Sequence, residues 1–87
     1  MSQAETLPLT ELRLAVSILV HAMVDEPSAV AITNKTEPGG TRFHITVAPK
    51  DIGKLIGANG RSARSLRILL NAAGRKYGEY VTLDIGE

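Results

Sequence analysis

The sequence predicts an α+β domain of order α-β-β-α-α-β, in which three helices cover one side of a three-stranded sheet. Three observations carry this. Apolar residues recur at three- and four-residue steps over roughly 9–23 and again over 61–77. They alternate with polar residues over 41–47 and 80–85. Proline and glycine fall at the junctions between these patterns. At 87 residues the chain is one domain, large enough for a core that buries roughly 60–65% of its unfolded surface.

Leu7-Pro8-Leu9 opens the first helix after a flexible start over 1–6, with proline near the first helical position, where its missing N–H costs nothing. Leu9, Leu12, Val16, Leu19 and Met23 form one apolar stripe. Ala15, Ile18, Val20 and Ala22 make the other faces apolar too, which is more than one small sheet covers and predicts self-association. The helix ends near Asp25-Glu26-Pro27, because proline disfavours α geometry in the residue before it. Strands follow over Val30–Thr36 and Thr41–Val47, joined by Glu37-Pro38-Gly39-Gly40 in the pattern of a type II turn. In the second strand Phe43, Ile45 and Val47 alternate with Arg42, His44 and Thr46, so one face is buried. A short helix runs from Pro49 to about Ile56. A longer one runs from Arg61 to about Tyr77, with Ala63, Leu66, Leu70, Ala73 and Tyr77 facing inward and Arg64, Arg67, Asn71 and Arg75 on another side. Gly78 suits the position after it, and Tyr80–Ile85 is the last strand.

Gly57-Ala58-Asn59-Gly60 interrupts the two later helices. Gly57 and Gly60 have no Cβ, so the tip can take positive φ and another backbone can approach it. The helix beginning at Arg61 presents unpaired N–H groups and the positive end of its dipole there. With Arg61 beside them, these donors favour an anion, and a nucleic-acid phosphate is the expected one. Charge agrees. The formal net charge of +1 divides into seven cations against Asp51 alone over residues 50–76, a net +6, and three cations against eight acids elsewhere, a net −5.

Other classes are excluded or disfavoured. Absence of cysteine removes disulfides and thiolate metal sites, and no apolar run approaches the ~18 residues that span a membrane. A polar, acidic start over Met1–Glu5 lacks the basic region of a signal peptide, so a cytoplasmic protein is expected. Gly53, Gly57 and Gly60 do not make G-x-G-x-x-G and follow a helix, and no G-x-x-x-x-G-K-[ST] occurs. His21 and His44 lack partners at metal spacing, and Ser62 and Ser65 lack a histidine base in any motif, so no enzyme, metal or cofactor is expected. Only 3% of residues are aromatic, which disfavours modules that stack bases on aromatic platforms; Tyr77 and Tyr80 read as core edges.

Two helices joined by Ile56-Gly57-Ala58-Asn59-Gly60 and preceded by a β-hairpin resemble a KH domain, in the helix-first, strand-last order of its type II form. The resemblance covers about Leu12 to Ile85, including Val47-Ala48-Pro49-Lys50-Asp51-Ile52-Gly53-Lys54-Leu55-Ile56-Gly57 and Val81-Thr82-Leu83-Asp84-Ile85. The segment Leu19–Pro27 is similar to the helix end of the small bacterial KhpA-type proteins, which would make residues 7–87 a single KH domain. The resemblance implies single-stranded RNA as ligand, about four nucleotides clamped by the GxxG loop, and no chemistry. Gly57, Ala58, Asn59 and Gly60 would meet the sugar-phosphate backbone. Ile52, Gly53, Leu55 and Ile56 would line one groove wall, with Ala63 and second-strand residues opposite. Lys54, Arg61 and Arg64 would steer the backbone, with Arg67 beyond them on the same basic helix. It further implies a homodimer or a heterodimer with a KhpB (Jag or EloR) type partner, and a role as post-transcriptional regulator or RNA chaperone linked to cell elongation and cell shape. Many relatives carry a lysine or arginine within the tip, and Ala58-Asn59 has none, so weaker affinity is expected. The rival reading is a KH-shaped dimerisation module with weak or no RNA contact.

Overall fold

The computed structural model describes residues 2–86, with side chains over 9–86. The first helix, α1, spans Ser2–Met23 and so extends ahead of Leu7-Pro8-Leu9. The flexible start expected over 1–6 lies outside the residues whose side chains are described. A single 3-10 turn, Pro27–Ala29, leads into β1, Ala31–Glu37, and β2, Gly40–Thr46. Then come α2, Pro49–Ile56, a second 3-10 turn, Ala58–Gly60, α3, Arg61–Arg75, and β3, Tyr80–Gly86.

The sheet order is β1-β2-β3. β1 and β2 are antiparallel, with Asn34 opposite Phe43 and Ile32 opposite Ile45. β2 and β3 are parallel, with Phe43 opposite Leu83, because the two intervening helices return the chain to the starting end of β2. Alternation decides which face the helices cover. Phe43, Ile45, Val81 and Leu83 are buried, whereas His44 is exposed and Arg42, Thr46, Thr82 and Asp84 are half-buried. Leu12, Val16 and Val20 of α1, Leu55 of α2 and Leu66 and Leu70 of α3 complete one core on that side. A mixed three-stranded sheet covered on one side by three helices, in the order α-β-β-α-α-β, is the type II KH arrangement.

Two expectations about helix faces and one about an aromatic ring need correction. Val20 is fully buried and belongs to the core stripe of α1, leaving Leu14 and Ile18 outside at 59% and 60% exposed. On α3 the inner stripe continues from Leu70 to Gly74, and Ala73 is exposed. A Cβ on Gly74 would lie 2.7 Å from the Glu79 carbonyl oxygen, so the helix approaches the chain entering β3 as closely as backbone allows. Tyr80 is not a core edge but stands 65% exposed, while Tyr77 is half-buried with its hydroxyl bonded to Glu11.

Candidate nucleic-acid interface

The tip is built by its backbone. Gly57 has φ 76° and ψ 174°, Asn59 φ 56° and ψ 28°, and Gly60 φ 74° and ψ 16°. Three positive φ values within four residues turn the chain from the end of α2 to the start of α3. Gly57 is held there sterically, since a Cβ would lie 2.4 Å from Ser62 Oγ and 2.9 Å from Ser62 N. At Gly60 a Cβ would meet nothing, so only its left-handed conformation favours glycine. The Gly57 N–H donates to Gly53 O at 2.8 Å and the Gly60 N–H to Gly57 O at 3.1 Å. Among the described residues, the N–H groups of Ala58 and Asn59 make no backbone hydrogen bond. Both residues are exposed, so two main-chain donors without a backbone acceptor lie on an exposed turn at the N-terminal end of α3.

The remaining predicted residues divide by their partners. Gly53 and Ile56 are on the exposed side of α2, Ile56 at 39%. Lys54 is not free: its ammonium contacts the Asp25 carboxylate and reaches Asp51 Oδ1 at 3.4 Å. The Asp25 contact, aided by Asp51, raises the Lys54 pKa above the ordinary lysine value against the opposing effect of burial. Lys50 is likewise paired, at 3.4 Å from Glu26. Arg61, Arg64 and Arg67 project from α3, exposed and without an ion-pair partner among the described residues. Positive charge around the tip is therefore neutralised on α2 and left uncompensated on α3. Leu55 is fully buried and Ala63 is 5% exposed, so these two support the loop from beneath, whereas Ile52 is half-buried and packs against the core from the side of α2.

Three residues outside the expected site organise this region. Asp51, fully buried, accepts the N–H of Asp25 at 3.1 Å and of Glu26 at 3.0 Å, which clamps α2 to the chain leaving α1. Asn71 pairs edge-on with Val81: its Nδ2 donates to Val81 O at 2.7 Å and its Oδ1 accepts Val81 N–H at 2.8 Å. Arg75, also exposed and without an ion-pair partner among the described residues, shares a groove with Arg64, Arg67 and Tyr80. An acid in the first turn of a helix is a local signal, but the partners of Asp51 and Asn71 lie 25 or 26 and 10 residues away.

Among the described residues, no group of three metal-ligating side chains occurs, and no helix is long and apolar enough to cross a membrane.

Comparison with known proteins follows the fold. A family model described as KhpA/KhpB, KH domain, matches residues 13–85. A protein named RNA-binding protein KhpA from Aquifex aeolicus is 35% identical over 79 residues, 91% of this chain and 100% of the relative. Relatives of the same name from Streptomyces coelicolor and Oceanobacillus iheyensis are 38% identical over 71 residues and 36% identical over 67 residues. These alignments cover 82% of this chain and 86% of the first relative, and 77% of this chain and 89% of the second. No solved structure matches the chain. The glycine tip between α2 and α3, the mixed sheet beneath it and a family match over most of the length agree: the chain belongs to the KhpA/KhpB KH-domain family.

Proposed function

We propose that this protein binds single-stranded RNA, without chemistry, by clamping about four nucleotides at the Gly57–Gly60 tip. The observation that carries this reading is the coincidence of two N–H donors left without a backbone acceptor on an exposed turn with a helix whose arginines have no carboxylate partners among the described residues. The relatives' name, RNA-binding protein KhpA, supports the ligand class. In this reading Ala58 and Asn59 N–H groups hold a phosphate, Arg61, Arg64 and Arg67 neutralise its neighbours, and Gly53 and Ile56 form an open, small-and-apolar wall. Lys54 is a weaker participant, because a phosphate would compete with Asp25 and Asp51. Each phosphate contact contributes about 0.7 to the salt dependence of single-strand binding. With no charge in the tip itself, affinity rests on main-chain donors and on α3. A post-transcriptional role in the cytoplasm, as regulator or RNA chaperone with a bearing on cell elongation, is the cellular part of this proposal.

The test is A58D/N59D, which keeps both glycines and places two negative charges where the phosphate would sit. Binding of a fluorescently labelled RNA pool at ~100 mM salt should fall by at least the tenfold that ~1.4 kcal/mol represents. Parental affinity in this variant would remove the tip from the binding site.

A second activity is favoured by a separate observation. Leu14 and Ile18 on α1 and Ile68 and Leu69 on α3 are 57–62% exposed. Two apolar faces on so small a domain support self-association or pairing with a KhpB-type protein, whose measure is the mass in solution.

A further inference from the structure

We infer that the RNA track continues from the tip along α3 to Tyr80, whose ring stacks on a base beyond the four nucleotides held by the loop. The inference rests on the tip being the RNA clamp. A groove of about 670 Å³ runs beside α3 between the helix and the start of β3, lined by Arg64, Arg67, Ile68, Arg75, Glu79 and Tyr80 among others. Its three arginines are exposed and have no ion-pair partner among the described residues, whereas Arg42 is paired with both Glu37 and Asp84. Glu79, the one carboxylate on the lining, already accepts a hydrogen bond from Thr41 Oγ1 at 2.9 Å. Asn71 is likewise consumed by Val81, so the groove is closed beneath and offers a ligand guanidinium donors and apolar surface.

Tyr80 and Ile68 supply that surface, at 65% and 62% exposed. In a chain with so few aromatic residues, the single strongly exposed ring lies on the lining of the groove with three free arginines. Charge tracking the backbone together with a ring for the bases is the combination that holds single-stranded nucleic acid.

The experiment compares fluorescein-labelled random RNA pools of four and ten nucleotides on the full chain. Longer RNA also offers the clamp more registers, so the gain with length does not decide; its dependence on Tyr80 does. Tyr80→Ala should weaken ten-nucleotide binding about fivefold or more, the effect of losing one aromatic–base stack, and leave four-nucleotide binding within about twofold. Tyr80→Phe should bind both pools like the parent, since stacking needs the ring and not the hydroxyl. Arg75→Gln should lower the slope of log K against log salt by about 0.7 for the ten-nucleotide pool alone. Parental binding of the longer pool by both Tyr80→Ala and Arg75→Gln, or an equal loss on both pools, would overturn the track. The clamp is judged separately, by A58D/N59D on the four-nucleotide pool. Thermal midpoints confirm folding, which the exposure of Tyr80 leaves intact.

Discussion

The Asp51 carboxylate is the buried member of the contacts that join α2 to the chain leaving α1, beside the exposed pairs Lys54–Asp25 and Lys50–Glu26. Burial alone would raise its pKa, but the N–H donors of Asp25 and Glu26 and the Lys54 ammonium outweigh it and hold the carboxyl below its ordinary value. A carboxyl depressed in the folded state contributes stability that is complete above its unfolded pKa, about 3.9. That contribution is lost as pH falls through the folded value. Asp51→Asn, which keeps the shape but turns an amide toward two donors, should melt well below the parent at pH 7. The gap between the two melting temperatures should narrow as pH falls below about 4. An equal gap at pH 7 and pH 3 would show that no proton is linked to folding here. The tip sits at the other end of the same helix, so this buried clamp also sets the orientation in which α2 delivers Gly57.

At the scale of elements, α3 and β3 are joined by a contact too close for any side chain. Gly74→Ala gains up to about 1 kcal/mol in helix propensity. Its Cβ, however, meets the Glu79 carbonyl at 2.7 Å and Val81 Cγ2 at 2.9 Å, and backbone cannot swing aside as a long side chain can. Overpacking of this kind costs about 1–3 kcal/mol, so a net loss near 1 kcal/mol is expected, a fall of roughly 4–8 °C in melting temperature. A rise in melting temperature would mean that the strand entry yields. The same pair of elements shows what the sequence could tell. Helix α2 matches its expected limits, Pro49 to Ile56, because proline and glycine are local signals with local consequences. The choice between Ala73 and Gly74 was not legible, since both fit a helical period and only the approach of β3 selects the smaller. Val20 was misplaced for a related reason: when a helix is apolar nearly all round, periodicity cannot say which stripe meets the sheet. The positive-φ turn at the tip and the exposed arginines of α3 were legible, through glycine spacing and charge. The pairing of Lys54 with Asp25 and the exposure of Tyr80 were not, because both depend on contacts made across the fold.

For the whole molecule, the outstanding property is that apolar surface remains on two helices after one core has formed. Leu14 and Ile18 follow the outer side of α1, and Ile68 and Leu69 that of α3. Each is exposed enough to accept lysine without disturbing the core, so Ile18→Lys and Leu69→Lys separate the two faces. If the protein is a dimer, its mass by light scattering should drop toward one chain, 9.3 kDa, for the variant on the contacting helix. A parental dimer mass in both would exclude both faces from the interface. An RNA track along α3 adds a constraint, because a partner covering Ile68 would narrow the groove that leads to Tyr80.

The Asn71 side chain also governs how copies of this protein can meet. β3 is an edge strand, and an edge strand ordinarily invites another strand to add to it. By presenting one acceptor and one donor to Val81, Asn71 imitates the peptide group of a neighbouring strand and fills that place from within. Growth of the sheet across the start of β3 is thereby blocked, and of the two sheet edges that of β1 is the more open to another strand.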